Sequence, residues 1–111
     1  MALPLTVFKT IPIAVPTSAT NVYTAPTGYN AIVLTAQAVN TDSNAQTFSM
    51  RLTRGATVQP IVFNYPIPSN EVLIASGGTA GKLVLQSGDI LSIVGTSTNV
   101  KFTLSVLETL I

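Results

Sequence analysis

Charge is what this chain has least of. Five basic and four acidic residues make up 8% of 111 positions, against roughly 25% in an average soluble domain. Cysteine, histidine and tryptophan are absent altogether. Without cysteine there is no disulfide framework and no soft metal-ligand set, so stability has to come from packing or from assembly. Without histidine the commonest general base at neutral pH is missing. The net charge of +1 leaves no polyanion footprint, so neither nucleic acid nor an acidic membrane surface is an expected partner. The longest nearly unbroken apolar run, Ala31–Val39, contains Thr35 and Gln37 and falls far short of the ~18–20 residues a membrane helix needs. Met1–Val15 has no basic start, and prolines at 4, 12 and 16 break the apolar stretch, so it does not read as a secretion signal.

What is present is the vocabulary of strands and turns. Thr, Val and Ile recur between short Pro- and Gly-containing breaks, and no window carries a 3.6-residue stripe. The clearest period-2 pattern sets Val100, Phe102, Leu104 and Val106 against Lys101, Thr103 and Ser105. Phe48, Met50 and Leu52 alternate in the same way with Ser49, Arg51 and Thr53. Ala31–Val39 is apolar on both faces, with Ile32, Leu34, Ala36 and Ala38 on one and Ala31, Val33 and Val39 on the other. A central strand has this pattern, and so does one whose outer face another subunit covers. Further strands are expected at Val7–Ile13, Val22–Thr24, Ile61–Tyr65, Val72–Ala75, Leu83–Leu85 and Ile90–Val94. Pro26-Thr27-Gly28, Pro66-Ile67-Pro68 and Ser76-Gly77-Gly78 mark breaks between them. Asn40–Asn44 and Gly95–Asn99 are turn chemistry, each expected to join two neighbouring antiparallel strands.

These signals predict an all-β fold: one small antiparallel β-sandwich or jelly-roll-like barrel of about eight strands. Residues 1–20, with their three prolines, form either an edge strand or an extended arm lying on a neighbour, and residues 21–111 form the sandwich. With almost no charge to keep copies apart, the apolar surface is expected to be covered by neighbouring subunits. Candidate subunit-interface residues are Leu3, Leu5, Val7 and Phe8 in the first segment and Leu107, Leu110 and Ile111 at the other end.

Catalytic chemistry finds little to work with. Glu108 continues the register of Val100–Val106, but the strand is expected to end before it and leave it solvated. Asp89, after Gly88, reads as an ordinary turn into a strand. No His exists to activate a serine, and Gly-x-Ser-x-Gly does not occur. Asn40, Asp42 and Asn44 lack the spacing and closing Glu of an EF-hand loop. Gly77–Lys82 lacks the spacing and hydroxyl of a phosphate loop and reads as a connector. Arg51 and Arg54, three apart on a strand, face opposite sides and form no patch. Neither enzymatic activity nor a cofactor or metal is expected.

Three segments then resemble a known group. Val22-Tyr23-Thr24-Ala25-Pro26-Thr27-Gly28-Tyr29, leading into the apolar Ala31 stretch, is similar to the opening of small β-sandwich virion proteins of tailed bacteriophages. Leu85-Gln86-Ser87-Gly88-Asp89 resembles their Leu-x-x-Gly-Asp turn, and Phe102–Glu108 their closing strand. The resemblance spans about residues 20–108 and leaves out the first twenty residues and Val58–Pro68. It implies a non-enzymatic virion structural protein made in the host cytoplasm, first of all a capsid decoration (cement) protein. The expected partners are the major capsid protein or other virion subunits, with self-association into a homo-oligomer. The alternatives are a tail, neck or baseplate subunit, or a receptor- or glycan-binding module with Tyr29 or Tyr65 in its groove.

Overall fold

A computed structural model of the chain describes residues 5–76 and 81–111, which form nine strands in two antiparallel sheets. The strands are β1 (Thr6–Ala14), β2 (Thr20–Thr24), β3 (Tyr29–Asn40), β4 (Gln46–Arg54), β5 (Thr57–Ile67), β6 (Val72–Ser76), β7 (Leu83–Leu85), β8 (Ile90–Gly95) and β9 (Val100–Leu110). Sheet A runs β1-β9-β3-β6, with β7 beside β6 along the same edge of β3. Sheet B runs β2-β8-β4-β5. The pairs nest, first strand with last: β1 with β9, β2 with β8, β3 with β6 and β7, β4 with β5. That connectivity is a jelly roll, a double-sheet sandwich.

The core follows from period 2. Phe102, Leu104 and Val106 of β9 point inward from sheet A, and Phe48 and Met50 of β4 from sheet B; all are buried. The Phe48 and Phe102 rings stack across the two sheets with centroids 5.5 Å apart. Truncating such a ring typically costs about 3–5 kcal/mol.

Several expectations change. In β3 the pairing with β9 shifts between Val33 and Thr35. This bulge adds one residue and reverses the alternation beyond it, so Ala31 and Val33 share the inner face with Ala36 and Ala38. Ile32 lies outside, not beside Ala36 and Ala38 as strict alternation predicts. The turns at 40–44 and 95–99 do not join neighbouring strands: each carries the chain from one sheet to the other, β3 to β4 and β8 to β9. Turn chemistry reverses a chain without choosing the strand it meets next. The two loops instead bond to each other, Thr41 N–H donating to the Asn99 carbonyl (3.1 Å) and Asn99 Nδ2 to Asp42 Oδ2 (2.9 Å).

Strand β5 runs through Pro60 and Pro66 rather than breaking at Pro66, and β1 runs through Pro12. All three prolines sit on edge strands, where a missing N–H costs no ladder bond. The first segment is the edge of sheet A, paired with β9 from Thr6 to Ala14. Only β4–β5 is a tight hairpin among the described connections, and Gly55 at φ +59° supplies its turn. The connector assigned to Gly77–Lys82 falls mostly outside the described residues.

Candidate subunit interface

Register places the outer side chains of sheet A in rows. Phe8 pairs with Leu107, Leu107 with Ile32 and Ile32 with Val84, so an apolar row crosses four strands from β1 to β7. Phe8 and Val84 are 73% and 56% exposed, while Ile32 and Leu107 between them are half-buried. On one side lies a neutral polar row of Thr6, Thr109 and Asn30. On the other lies Thr10, Ser105 and Thr35, with the Thr10 and Ser105 hydroxyls hydrogen-bonded at 3.3 Å. Beyond it comes Pro12, Thr103, Gln37 and Ile74, and then Ala14, Lys101, Val39 and Val72. Among these row positions Lys101 alone is charged.

The interface residues expected from the sequence separate into distinct places. Phe8 and Leu107 are brought side by side on this face. Val7 pairs with Glu108 and belongs to the opposite, inner side of the strand. Leu5 and Ile111 are 72% and 73% exposed, and Leu110 is half-buried with its N–H bonded to the Leu5 carbonyl. Leu3 lies outside the described residues. Sequence reasoning missed Ile32 and Val84 as members of the row. The signal for Val84 was there, because Leu83-Val84-Leu85 cannot put all three side chains on one side. For Ile32 the bulge hid it.

Glu108 is the largest correction. The strand does not end before it: β9 continues to Leu110, and Glu108 is 2% exposed. It is sustained there by two partners from two different strands. The Tyr23 hydroxyl donates to Glu108 Oε2 at 2.5 Å, and Lys9 Nζ lies 3.2 Å from the same oxygen. Lys9 stays half in water, its stem along the sheet and its ammonium turned to the carboxylate. Burial, then the hydrogen bond to Glu108 and its negative charge, pushes the Tyr23 phenol well above its ordinary range. Its environment therefore keeps Tyr23 a donor rather than a base.

Asp89 is likewise more than a turn residue. Only 2% exposed, it accepts from Arg54 Nε at 2.9 Å and Nη2 at 2.6 Å, and from the Gln86 N–H at 2.8 Å. The Arg54 guanidinium holds its carboxyl below the usual carboxylate range. Arg51 pairs in register with Pro60 and Ser92, so the two arginines do face opposite sides of β4. Asp42 is lowered too, chiefly by the Asn99 amide.

The segments that carry the phage resemblance meet in space. Ala25 N–H donates to the Asp89 carbonyl and Gly88 N–H to the Ala25 carbonyl, both at 2.9 Å. Ser87 Oγ donates to the Pro26 carbonyl (3.2 Å), and Tyr23 reaches Glu108 in the closing strand. Gly88 needs its φ of +87° for that turn. These motifs are thus accounted for by internal bonding at one end of the sandwich.

Two open depressions of roughly 290 Å³ each lie among the described residues. One runs along Pro12–Ala14 and Lys101–Thr103; the other lies on the β4–β5 hairpin between Leu52, Arg54, Thr57 and Gln59. Arg54, the charged group of the second, is already committed to Asp89. Among the described residues no three acidic side chains cluster as metal ligands. Tyr29 is buried, which removes it from any exposed groove, whereas Tyr65 is half-exposed beside Phe63 on β5.

No family model and no curated protein matches the chain. One solved structure, from work described as "Bacillus endospore appendages form a novel family of disulfide-linked pili", is similar over 96% of this chain and 88% of its own, at 14% identity and a TM-score of 0.46.

Proposed function

We propose that this protein is a non-enzymatic structural subunit that works by docking onto other subunits of a larger assembly, and that the assembly is the virion of a tailed phage, with capsid decoration as its role. The observation that carries the docking part is the outer face of sheet A, where an apolar row, exposed at Phe8 and Val84 and half-buried at Leu107 and Ile32, spans four strands in a chain almost without charge. Contiguous apolar patches larger than a few hundred Å² are rare on monomeric soluble proteins, and those that occur mark interaction sites. The virion placement rests on the resemblance of Val22–Tyr29, Leu85–Asp89 and Phe102–Glu108. Jelly rolls serve viral capsids and lectins alike, so the fold alone does not choose between them.

Particles stripped of the protein and then reloaded test the reading. Reloaded capsids should withstand heating that disrupts stripped ones. Equal robustness of the two removes the cementing role, and failure to rebind removes the virion role. The exposed Phe63 and Tyr65 favour a second reading, a glycan-binding module using the β5 edge. A flat response across a glycan array removes it.

A further inference from the structure

The outer face of sheet A has the size and the composition of one half of a symmetric interface, and we infer that its occupant is the same face of a second copy of this chain. This rests on the reading of that face as a docking surface and assigns it to a second copy, which leaves contact with the rest of the assembly to other surfaces of the dimer.

Size comes first. Eleven residues of β9 at about 3.3 Å each, and four strand positions about 4.8 Å apart, give a face of roughly 650 Å² in plan. Side-chain relief raises the accessible area above that figure. A standard stable interface buries about 800 Å² on each partner, so the face is of the order a dimer needs when the whole of it is covered.

Composition selects the partner. A complementary charged patch has nothing to pair with here, because Lys101 stands alone at one end of the rows. A partner's charge placed against the row would be desolvated without compensation. The matching surface is neutral, with an apolar band of similar width between hydroxyl-bearing rows. This face has that composition itself. Laid against its own copy, it sets apolar residues on apolar residues and hydroxyls on hydroxyls, with no like-charge contact near the row. Two sheets packed in this way stand about 10 Å apart with strands near −30°, which leaves Phe8 and Val84 to interdigitate between them. The contact is isologous and closes on itself, so it yields a dimer rather than an open chain.

The test is sedimentation equilibrium on the full chain and two variants, the double variant Phe8→Lys/Val84→Lys and the single variant Phe63→Lys. Phe8→Lys and Val84→Lys alter exposed side chains of the row, while Phe63→Lys alters an equally exposed one on sheet B. The wild type is expected to be a dimer. The double variant Phe8→Lys/Val84→Lys should dissociate on the order of a hundredfold more readily, with a thermal melt that matches the wild type's at a concentration low enough for both to be monomers, and Phe63→Lys should match the wild type throughout. A monomeric wild type, a dimer indifferent to the double variant, or one broken by Phe63→Lys overturns the inference. The docking function fails separately: a wild-type monomer that still loads onto stripped particles sinks the dimer and leaves that function standing. A dimer that never loads does the reverse.

Discussion

The Tyr23 hydroxyl, on β2 of sheet B, donates a 2.5 Å hydrogen bond to Glu108 on β9 of sheet A, a buried polar tie between the two layers of the sandwich. Lys9 meets the same carboxylate from the edge strand β1. One carboxylate thus links three strands. In an apolar interior such a group is stabilising only while its partners remain.

Removing the phenol oxygen with Tyr23→Phe leaves Glu108 buried with Lys9 as its remaining partner. Urea denaturation should show a loss of about 1–3 kcal/mol at neutral pH. The pH dependence has a defined sign. Because the Tyr23 pKa is raised on folding, its contribution is complete below the unfolded value near 10 and is lost as pH rises beyond it. The gap between wild type and variant should therefore narrow above about pH 10. A gap that stays constant there would mean the phenol is not protected.

Asp89 acts at the other end of the scale. Its pKa is lowered by Arg54, so its contribution is present above the unfolded value near 4 and disappears as pH falls through the folded one. Asp89→Asn should cost about 1–3 kcal/mol at pH 7 and show a shallower loss of stability below pH 4 than the wild type. Parallel acid-denaturation curves for the two proteins would contradict this.

Gly95 is required for space rather than for its backbone angle. A Cβ there would stand 2.7 Å from Val15 Cγ1 and 3.1 Å from the Thr47 carbonyl oxygen. Val15 is fully buried, and the Gly95 N–H is bonded to the Pro16 carbonyl, so neither neighbour yields easily. Gly95→Ala should lower stability by about 1–3 kcal/mol, read as a drop in Tm. An unchanged Tm would show that the loop after β1 relaxes freely.

Asn40 closes β3 and ties the crossover to sheet B. It is fully buried, its amide donates to the Asn44 and Ile67 carbonyls at 2.9 and 2.8 Å, and its Oδ1 accepts from the Asp42 N–H. Asn40→Ala removes the side-chain amide that those backbone groups bond to and should cost about 1–3 kcal/mol, whereas Asn40→Asp should recover little because it cannot donate to the two carbonyls. Full recovery by Asp would overturn the assignment.

Strands were legible wherever alternation was intact, as in Val100–Val106 and Phe48–Leu52. The long apolar β3 was legible as a strand, but its faces were not, because a bulge leaves no mark in a run of Ala, Val, Leu and Ile. Glu108 was misplaced because its partners, Tyr23 and Lys9, lie 85 and 99 positions away. Asp89 depended on Arg54 in the same way, 35 positions off. The greasy ends drew attention to Phe8 and Leu107, yet the face they belong to is completed by Ile32 and Val84. Only pairing, a non-local property, could join those four.

The central claim is that an uncharged apolar face drives assembly, and its salt dependence tests this most directly. Screening weakens charge-driven contacts as the Debye length shrinks and leaves apolar burial in place. Self-association measured at about 0.05 M and about 0.5 M NaCl should therefore be unchanged within roughly twofold, or tighter at high salt. A tenfold weakening at high salt, or a monomer throughout, would contradict it.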